Sequence, residues 1–423
     1  MPLYEDRTNA INAITVPDEV RDALVVGTDA VIGMMLTALE QVRVSEGRAA
    51  SLAIDGWAGA DFAGLGARLA DAAAARGLTV EVVGAHTLFK PLSEQRTYKQ
   101  PFIGEDPAFG WVNEKGRIED VLAEGPVAAL KERLARLRAG RASACLVVIG
   151  PGATAAGLST AYDRSVYVDF TRQPLLWQMW DGTFIPPGES APRRNYSWKE
   201  YYYCDFYLLE EHKVAALPRL DWYIDGVDAI CLKLLPMPAY ERLLDVLVTW
   251  PVKEIKIFQP GPWGAYRYKD FWNIPGLECN AWNELAGPEL AMLVDVGGAG
   301  VLNMPVTNLL ARGERFVGPA IHRDLPGMLP LDVWLDDGYF PQPTPAERIS
   351  MPIHNHPSTR YVQRKFNEPL GRYETYYIAE AYEGANTWMG FRKDADVEAW
   401  EEACRESERT GRPIPDWKDI VAN

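Results

Sequence analysis

The stretch Ser51-Leu52-Ala53-Ile54-Asp55-Gly56-Trp57-Ala58-Gly59-Ala60-Asp61-Phe62-Ala63-Gly64 decides the class of the first half of the chain. A short apolar run enters a glycine-rich loop, and an alanine- and leucine-rich helical pattern follows to about Arg76. Gly77-Leu78-Thr79-Val80-Glu81-Val82-Val83 is then a second run of strand type. Strand, glycine loop, helix, strand reads as one βαβ unit with a parallel pair. Outward from it the alternation continues. Residues 17–46 begin with a polar, acidic entry and become helical through Ala30-Val31-Ile32-Gly33-Met34-Met35-Leu36. Residues 124–140 carry Val127, Leu130, Leu134 and Leu137 on one helical stripe. Cys145-Leu146-Val147-Val148-Ile149 and Val166-Tyr167-Val168-Asp169 are further buried strands. Alternating strands and helices to about residue 235 predict an α/β domain.

The whole chain sets wider bounds. Its 423 residues exceed one ordinary core, so two or three domains are expected. Hydrophobic content of 48% and charged content of 24% belong to a soluble globular protein. No apolar run approaches the roughly 20 residues of a membrane helix. Met1-Pro2-Leu3-Tyr4-Glu5-Asp6-Arg7 lacks the basic and apolar regions of a signal peptide, which makes a cytoplasmic location the default and predicts no membrane partner. Five scattered cysteines without a CxxC imply neither a disulfide framework nor a zinc knuckle. A net charge of −15 argues against nucleic acid as a partner, since that electrostatic attraction needs a basic surface. A few local cations can still bind a phosphate against the overall field.

The glycine loop, after an apolar strand and before a helix, resembles the phosphate-binding loop of P-loop kinases of the uridine-kinase type. That motif ends in Gly-Lys-Ser/Thr, with the Lys on the phosphates and the hydroxyl on Mg²⁺. Here Gly59-Ala60-Asp61-Phe62 offers neither, and Asp61 would repel phosphate. The resemblance therefore implies a degenerate, structural P-loop-like parallel α/β domain over residues 1–245, rather than an active kinase.

Residues 170–225 are rich in Trp, Tyr and Arg, among them Trp177, Trp180, Arg193, Arg194 and Tyr201-Tyr202-Tyr203. Such a stretch can line a ligand cleft or serve as an interface. A boundary is expected near 236–252, around Pro236, Pro238 and Pro251. Proline-bounded short strands without regular helices then suggest an all-β module, with Leu309 and the turn before Phe316 on a short helix.

Within that module stands Met351-Pro352-Ile353-His354-Asn355-His356-Pro357. His354 and His356 are two apart, so on a strand both side chains leave one face. Glu374 sits in a second run of strand type, Gly371-Arg372-Tyr373-Glu374-Thr375-Tyr376-Tyr377-Ile378. Two imidazoles and a carboxylate from adjacent strands suit Zn²⁺ or another divalent metal with positions open to substrate. The same residues also fit a surface histidine pair with a cross-strand glutamate. His86, His212 and His322 stand alone and read as surface or capping residues, and Glu210-Glu211 as a helix face.

From about residue 254 to 415 the chain resembles the class I, metal-dependent mannose-6-phosphate isomerases, which are cupins. Trp263-Gly264, Trp282-Asn283-Glu284, Leu329 to Asp336, Ile353 to Pro357, Gly371 to Ile378 and Gly384 to Phe391 carry the resemblance. The whole chain looks most like a bacterial subgroup with a kinase-like α/β half before the isomerase cupin. The resemblance implies a cupin (jelly-roll) β domain over residues 246–423. It places His356 and Glu374 on the family's metal His and Glu, and His354 on its metal Gln. Arg372 falls on a Lys near the substrate, often proposed as a base. Arginine stays protonated, so it can bind an anionic oxygen but accepts a proton poorly. Arg364 and Lys365, expected in the loop between the ligand strands, could bind the phosphate of a sugar phosphate.

The family's fourth ligand, a histidine from a later strand, has no counterpart after His356, so the cupin reads as C-terminally incomplete. Another chain, in a homo-oligomer or as a separate completing partner, could finish the barrel, because a half jelly roll leaves unpaired edges. The expected function is aldose–ketose interconversion of mannose 6-phosphate and fructose 6-phosphate. The alternatives are a non-catalytic sugar- or metal-binding cupin regulator and, less favoured, a sugar or nucleoside kinase.

Overall fold

The computed structural model describes residues 4–7, 9–140, 143–265, 280–286, 291–331, 333–336, 356–378 and 390–414. It divides into two compact units. The larger comprises Met1–Gln259, Asn283–Leu335 and Ser358–Gly371, and the smaller comprises Pro260–Trp282, Asp336–Pro357 and Arg372–Asn423. Coarsely the fold is mixed α/β, with one mostly parallel sheet and further β structure.

The short strands β1 (Tyr4–Asp6) and β2 (Ile11–Ala13) and the turn α1 (Asp18–Arg21) open the chain. Then come β3 (Val25–Val26), α2 (Thr28–Glu46), β4 (Ser51–Gly56), α3 (Phe62–Ala75) and β5 (Val80–Gly84). After α4 (Leu92–Ile103) and α5 (Glu124–Arg138) follow β6 (Cys145–Ile149) and β7 (Arg164–Asp169). Helices α6 (Arg172–Asp181), α7 (Trp198–Glu200) and α8 (Phe206–Ala216) lead to β8 (Trp222–Asp225), β9 (Lys233–Pro236) and α9 (Met237–Leu247).

The main sheet has the order β3-β9-β8-β7-β4-β6-β5. Strands β8, β7, β4, β6 and β5 run parallel, and β9 and β3 close one side antiparallel. Every residue of β4 and β6 is buried, as expected for parallel strands covered on both faces. The expected parallel pair of β4 and β5 does not form, because β6 lies between them and pairs with both. A crossover fixes direction but not adjacency, and a later strand as apolar as Cys145–Ile149 takes the central place.

Two apolar clusters hold the sheet. One gathers Ile32, Met35, Leu36 and Leu39 of α2 with Leu52, Ile54, Val147 and Val148. The other sets Tyr167 and Tyr223 against Tyr240, Leu243, Leu244 and Leu247 of α9. The Tyr223 and Tyr240 rings stack at 4.1 Å. Within the stretch expected to hold a boundary, Met237–Leu247 is a packed helix, with Pro236 and Pro238 at its start, where a missing N–H costs nothing.

Beyond α9, β10 (Lys256–Ala265), β11 (Asn280–Ala286) and β14 (Val333–Asp336) form a sheet with β1, in the order β1-β10-β11-β14. Strands β12 (Ala291–Asp295) and β13 (Val301–Pro305) pair antiparallel, and β2 joins β12 in parallel. The buried Asn12 side chain donates to the carbonyls of Lys253 (2.8 Å) and Leu293 (2.9 Å) and accepts from the Lys253 amide (2.6 Å). This region is not purely β. Helical segments cover 306–312, 314–317 and 319–324, and regular helices occupy Thr359–Phe366 and Val397–Thr410. The short helix expected around Leu309 is among them.

Candidate functional site

Three strands of the parallel sheet finish on an aspartate. Asp55 is the penultimate residue of β4, and Asp169 and Asp225 end β7 and β8. The register sets Asp55 beside Tyr167 and Asp169 beside Asp225. Residues in register, or two apart on a strand, share a face, so the three carboxylates line one face at the carboxyl ends. All are buried. From β4 the chain moves outward to β5, returns to β6 and then crosses to β7 on the other side of β4. The ends of β4 and β7 thus flank a topological switch point, the usual ligand position in an open α/β sheet.

Helix α8, entered through one π-helical turn at Tyr201–Asp205, supplies the counter-charges from adjacent residues. His212 Nε2 lies 2.7 Å from Asp55 Oδ2. Lys213 Nζ reaches both oxygens of Asp169, at 2.9 and 2.8 Å. Tyr223 Oη (3.0 Å) and Asn308 Nδ2 (2.9 Å) also donate to Asp169. Asp225 accepts from Lys233 Nζ (3.1 Å) and from the amides of Asn303 (2.8 Å) and Val227 (3.1 Å).

Asp55 is answered most completely. Its Oδ1 accepts from the amides of Gly56 (2.7 Å) and Gly152 (2.8 Å), and its Oδ2 from the Thr154 amide (2.8 Å) and hydroxyl. Burial alone would raise this carboxyl, but His212 and the Thr154 bonds outweigh it and hold Asp55 below the usual carboxylate range. Burial would likewise lower His212, yet the Asp55 charge and hydrogen bond raise the imidazole. The glycine loop ends in a second anion, this one exposed. Asp61 caps α3, its Oδ1 accepting from the Gly64 amide at 2.8 Å. A carboxylate thus stands at the helix terminus where a phosphate would be bound. Gly59 has φ +108°, and a Cβ there would meet the Phe170 ring at 2.8 Å, so the loop's glycine serves packing.

Between these groups remains a crevice lined by Trp57, Phe170, Arg172, Glu210 and Lys213. Burial raises the Glu210 carboxyl against the opposing charge of Lys213. The free volume is about 20 Å³, room for about one ordered water rather than a substrate.

His212 is therefore a buried partner of a strand-end aspartate, not the surface or capping residue expected from its isolation in sequence. The readable signal lay elsewhere, in apolar strands that each close on aspartate: Ala53-Ile54-Asp55, Tyr167-Val168-Asp169 and Tyr223-Ile224-Asp225.

In the smaller unit, His356 Nε2 lies 3.1 Å from Glu374 Oε2, with the side chains 20% and 34% exposed. Tyr376 Oη donates to the same Glu374 oxygen at 3.0 Å. His354 lies outside the described residues. Among the described residues no group of three or more His, Cys, Asp or Glu is gathered for a metal ion. Gly371–Ile378 forms no strand, and Tyr373 (79%), Tyr376 (43%) and Tyr377 (92%) are exposed. Aromatic strand propensity acts only against a paired neighbour, and no described strand pairs here. Arg372 in the same segment is exposed. Arg364 and Lys365 lie not in a loop but in the last turn of the helix Thr359–Phe366, where cations complement the helix dipole. Ser358 starts that helix, its hydroxyl accepting from the Tyr361 amide.

No described helix is long and apolar enough to cross a membrane. No curated protein is significantly similar to the chain. A solved structure from Silicibacter sp. TM1040, described as a candidate fructose transport system kinase, aligns at 17% identity over 36% of this chain and 82% of its own, with a TM-score of 0.24. Residues 33–249, which hold β4 to β9 and the aspartate row, match a family model described as Domain of unknown function (DUF8485), and the chain belongs to that family.

Proposed function

We propose that the chain is a metal-dependent aldose–ketose isomerase of a sugar phosphate, interconverting mannose 6-phosphate and fructose 6-phosphate. In this reading a cupin-type C-terminal region holds a divalent metal, Zn²⁺ first, through His356 and Glu374 together with His354. One observation supports it most: the 3.1 Å approach of His356 Nε2 to Glu374 Oε2. Two donors about 2.1 Å from one tetrahedral ion stand about 3.4 Å apart, so this pair needs to open only slightly to take two ligand positions. Tyr376, bonded to Glu374, suits the outer partner that orients a ligating carboxylate. When bound, such an ion supplies Lewis-acid polarisation of the sugar's oxygens.

The chain's own residues carry the remaining roles. Arg372 binds an anionic oxygen of the substrate and, being permanently charged, leaves the proton transfer between C1 and C2 to another group. The α/β region is a degenerate P-loop-like domain, a reading supported by Asp61 at the start of α3 and by Asp55 in the amides of the 152–154 loop.

Metal content and mannose-6-phosphate isomerase activity of the purified protein, beside His356→Ala and Glu374→Ala, test the reading. Both substitutions are expected to remove the bound metal and the turnover together. Unchanged metal stoichiometry in both variants refutes the assignment, and metal without turnover in the wild type leaves only a binding role.

A further inference from the structure

The larger and the smaller unit each carry one helix whose exposed face is chemically unfinished. The helix Thr359–Phe366 buries only Val362. Its sequence Thr-Arg-Tyr-Val-Gln-Arg-Lys-Phe holds Arg360, Arg364 and Lys365 and no acid. None of the three cations forms a salt bridge among the described residues, in a chain of net charge −15. Arg360 and Arg364 are four apart, as are Tyr361 and Lys365, so the cations and the tyrosine share the outward side. An aromatic platform adjoins them. Phe109 stacks on Phe366 at 4.9 Å and is 51% exposed, and Tyr361 packs edge-on to Phe366 while 42% exposed. The Val112 amide bonds to the Phe366 carbonyl and Asn367 Nδ2 to the Val112 carbonyl, both at 2.8 Å, which fixes the platform to the helix.

The helix Val397–Thr410 is the complement. It has fourteen residues and buries none of them. Val397, Trp400, Ala403 and Cys404 recur at helical spacing and form an apolar stripe; Val397 is 53% exposed, and the other three are half-buried, Trp400 edge-on to the Phe391 ring. Five glutamates (398, 401, 402, 406 and 408) against Arg405 and Arg409 make the remainder acidic. At 100° per residue Glu401 and Glu408 flank the stripe. Interfaces favour aromatic and arginine anchors at their centre, and charge sets register and rejects wrong pairings.

We infer that these two surfaces bind each other between copies of the chain. The acidic helix Val397–Thr410 of one copy seats its Val397–Trp400–Cys404 stripe on the Phe109–Tyr361 platform of a second copy. Glu401 and Glu408 then face Arg360, Arg364 and Lys365. The occupant of the basic aromatic face is thus a second molecule of this protein, and the contact is reciprocal.

Sedimentation equilibrium of the full chain tests this with a charge swap. The wild type is expected to dimerise. The pairs Arg364→Glu with Lys365→Glu, and Glu401→Lys with Glu408→Lys, each place like charges in contact and should weaken the dimer about tenfold or more. An equimolar mixture of the two variants should recover wild-type association, because each then meets its opposite charge. Unchanged circular dichroism keeps misfolding out of the result, since all four positions are exposed. A monomeric wild type, or a mixture no more associated than its components, overturns the inference.

Discussion

Replacing Asp55 by Asn keeps the shape of the most heavily bonded carboxylate and removes its charge. In one amide orientation the new NH₂ takes the Oδ2 position, where the Thr154 amide, the Thr154 hydroxyl and His212 all approach. The hydroxyl can rotate, and a neutral His212 can accept at Nε2, but the Thr154 amide stays without an acceptor. In the other orientation the Gly56 and Gly152 amides both face a donor. The better orientation leaves one buried amide unsatisfied, about 1–3 kcal/mol, and loses a charge-assisted bond of about 1.5–3 kcal/mol. The sum is about 2.5–6 kcal/mol, or about 5–12 °C in Tm at roughly 2 °C per kcal/mol for a large domain.

The pH dependence follows from the two shifts. His212 is raised above the ordinary imidazole value of about 6.5, so its contribution is complete below that pH and is lost as pH rises through the folded value. Asp55 is lowered below the ordinary carboxylate value of about 3.9, so its contribution is complete above that pH and is lost as pH falls through the folded value. The pair therefore stabilises most between about pH 4 and 6.5. Urea unfolding followed by tryptophan fluorescence, compared by midpoint because two units need not unfold together, reads the difference between wild type and variant. It should be largest near pH 6 and smaller near pH 9. A variant within 0.5 kcal/mol of wild type at pH 6, taking about 0.5 kcal/mol as the scale of a neutral surface change, would refute the reasoning. So would a difference that grows from pH 6 to 9.

Other substitutions probe neighbouring groups. Lys213→Met should cost about 3–5 kcal/mol, since the buried Asp169 loses its cation and keeps Tyr223 and Asn308; chemical denaturation measures it, and a loss under 1 kcal/mol would contradict the buried pair. Asp61→Lys should cost about 1 kcal/mol through loss of the α3 cap without creating ATP binding, because Asp55 still occupies the neighbouring amides; calorimetric titration with MgATP showing tight binding would disprove that. Asn12→Ala breaks three bonds joining β2 to residues 253 and 293 and should cost about 2–4 kcal/mol; hydrogen exchange at Leu293 and Val294 unchanged from wild type would count against it.

Most of the α/β elements could be read from local pattern. The stripe Val127, Leu130, Leu134, Leu137 is buried as expected, and Phe62–Ala75 and Cys145–Ile149 are the helix and strand their composition predicts. Asp61 in the glycine loop, expected to repel phosphate, caps α3. What escaped was non-local. Nothing near Val80 says that Cys145–Ile149 will displace it from β4, because adjacency is decided by competition with a more apolar strand far along the chain. His212 seemed idle because its partner is 157 residues away. The second half misled in the opposite direction. Tyr373, Tyr376 and Tyr377 have strand chemistry, but with no strand edge beside them among the described residues Arg372–Ile378 stays irregular and exposed. Arg364 and Lys365 looked like loop cations because they fall between two runs expected to be strands, whereas Ser358 starts a helix there.

The place of β2 bears on how the chain is made. Ile11–Ala13 leaves the ribosome long before its hydrogen-bonding edge, Leu293–Asp295. For most of synthesis this segment has nowhere to lie. An early-binding chaperone would meet it in that interval, and Leu293–Asp295 must reach back and capture it before the three-stranded sheet can form.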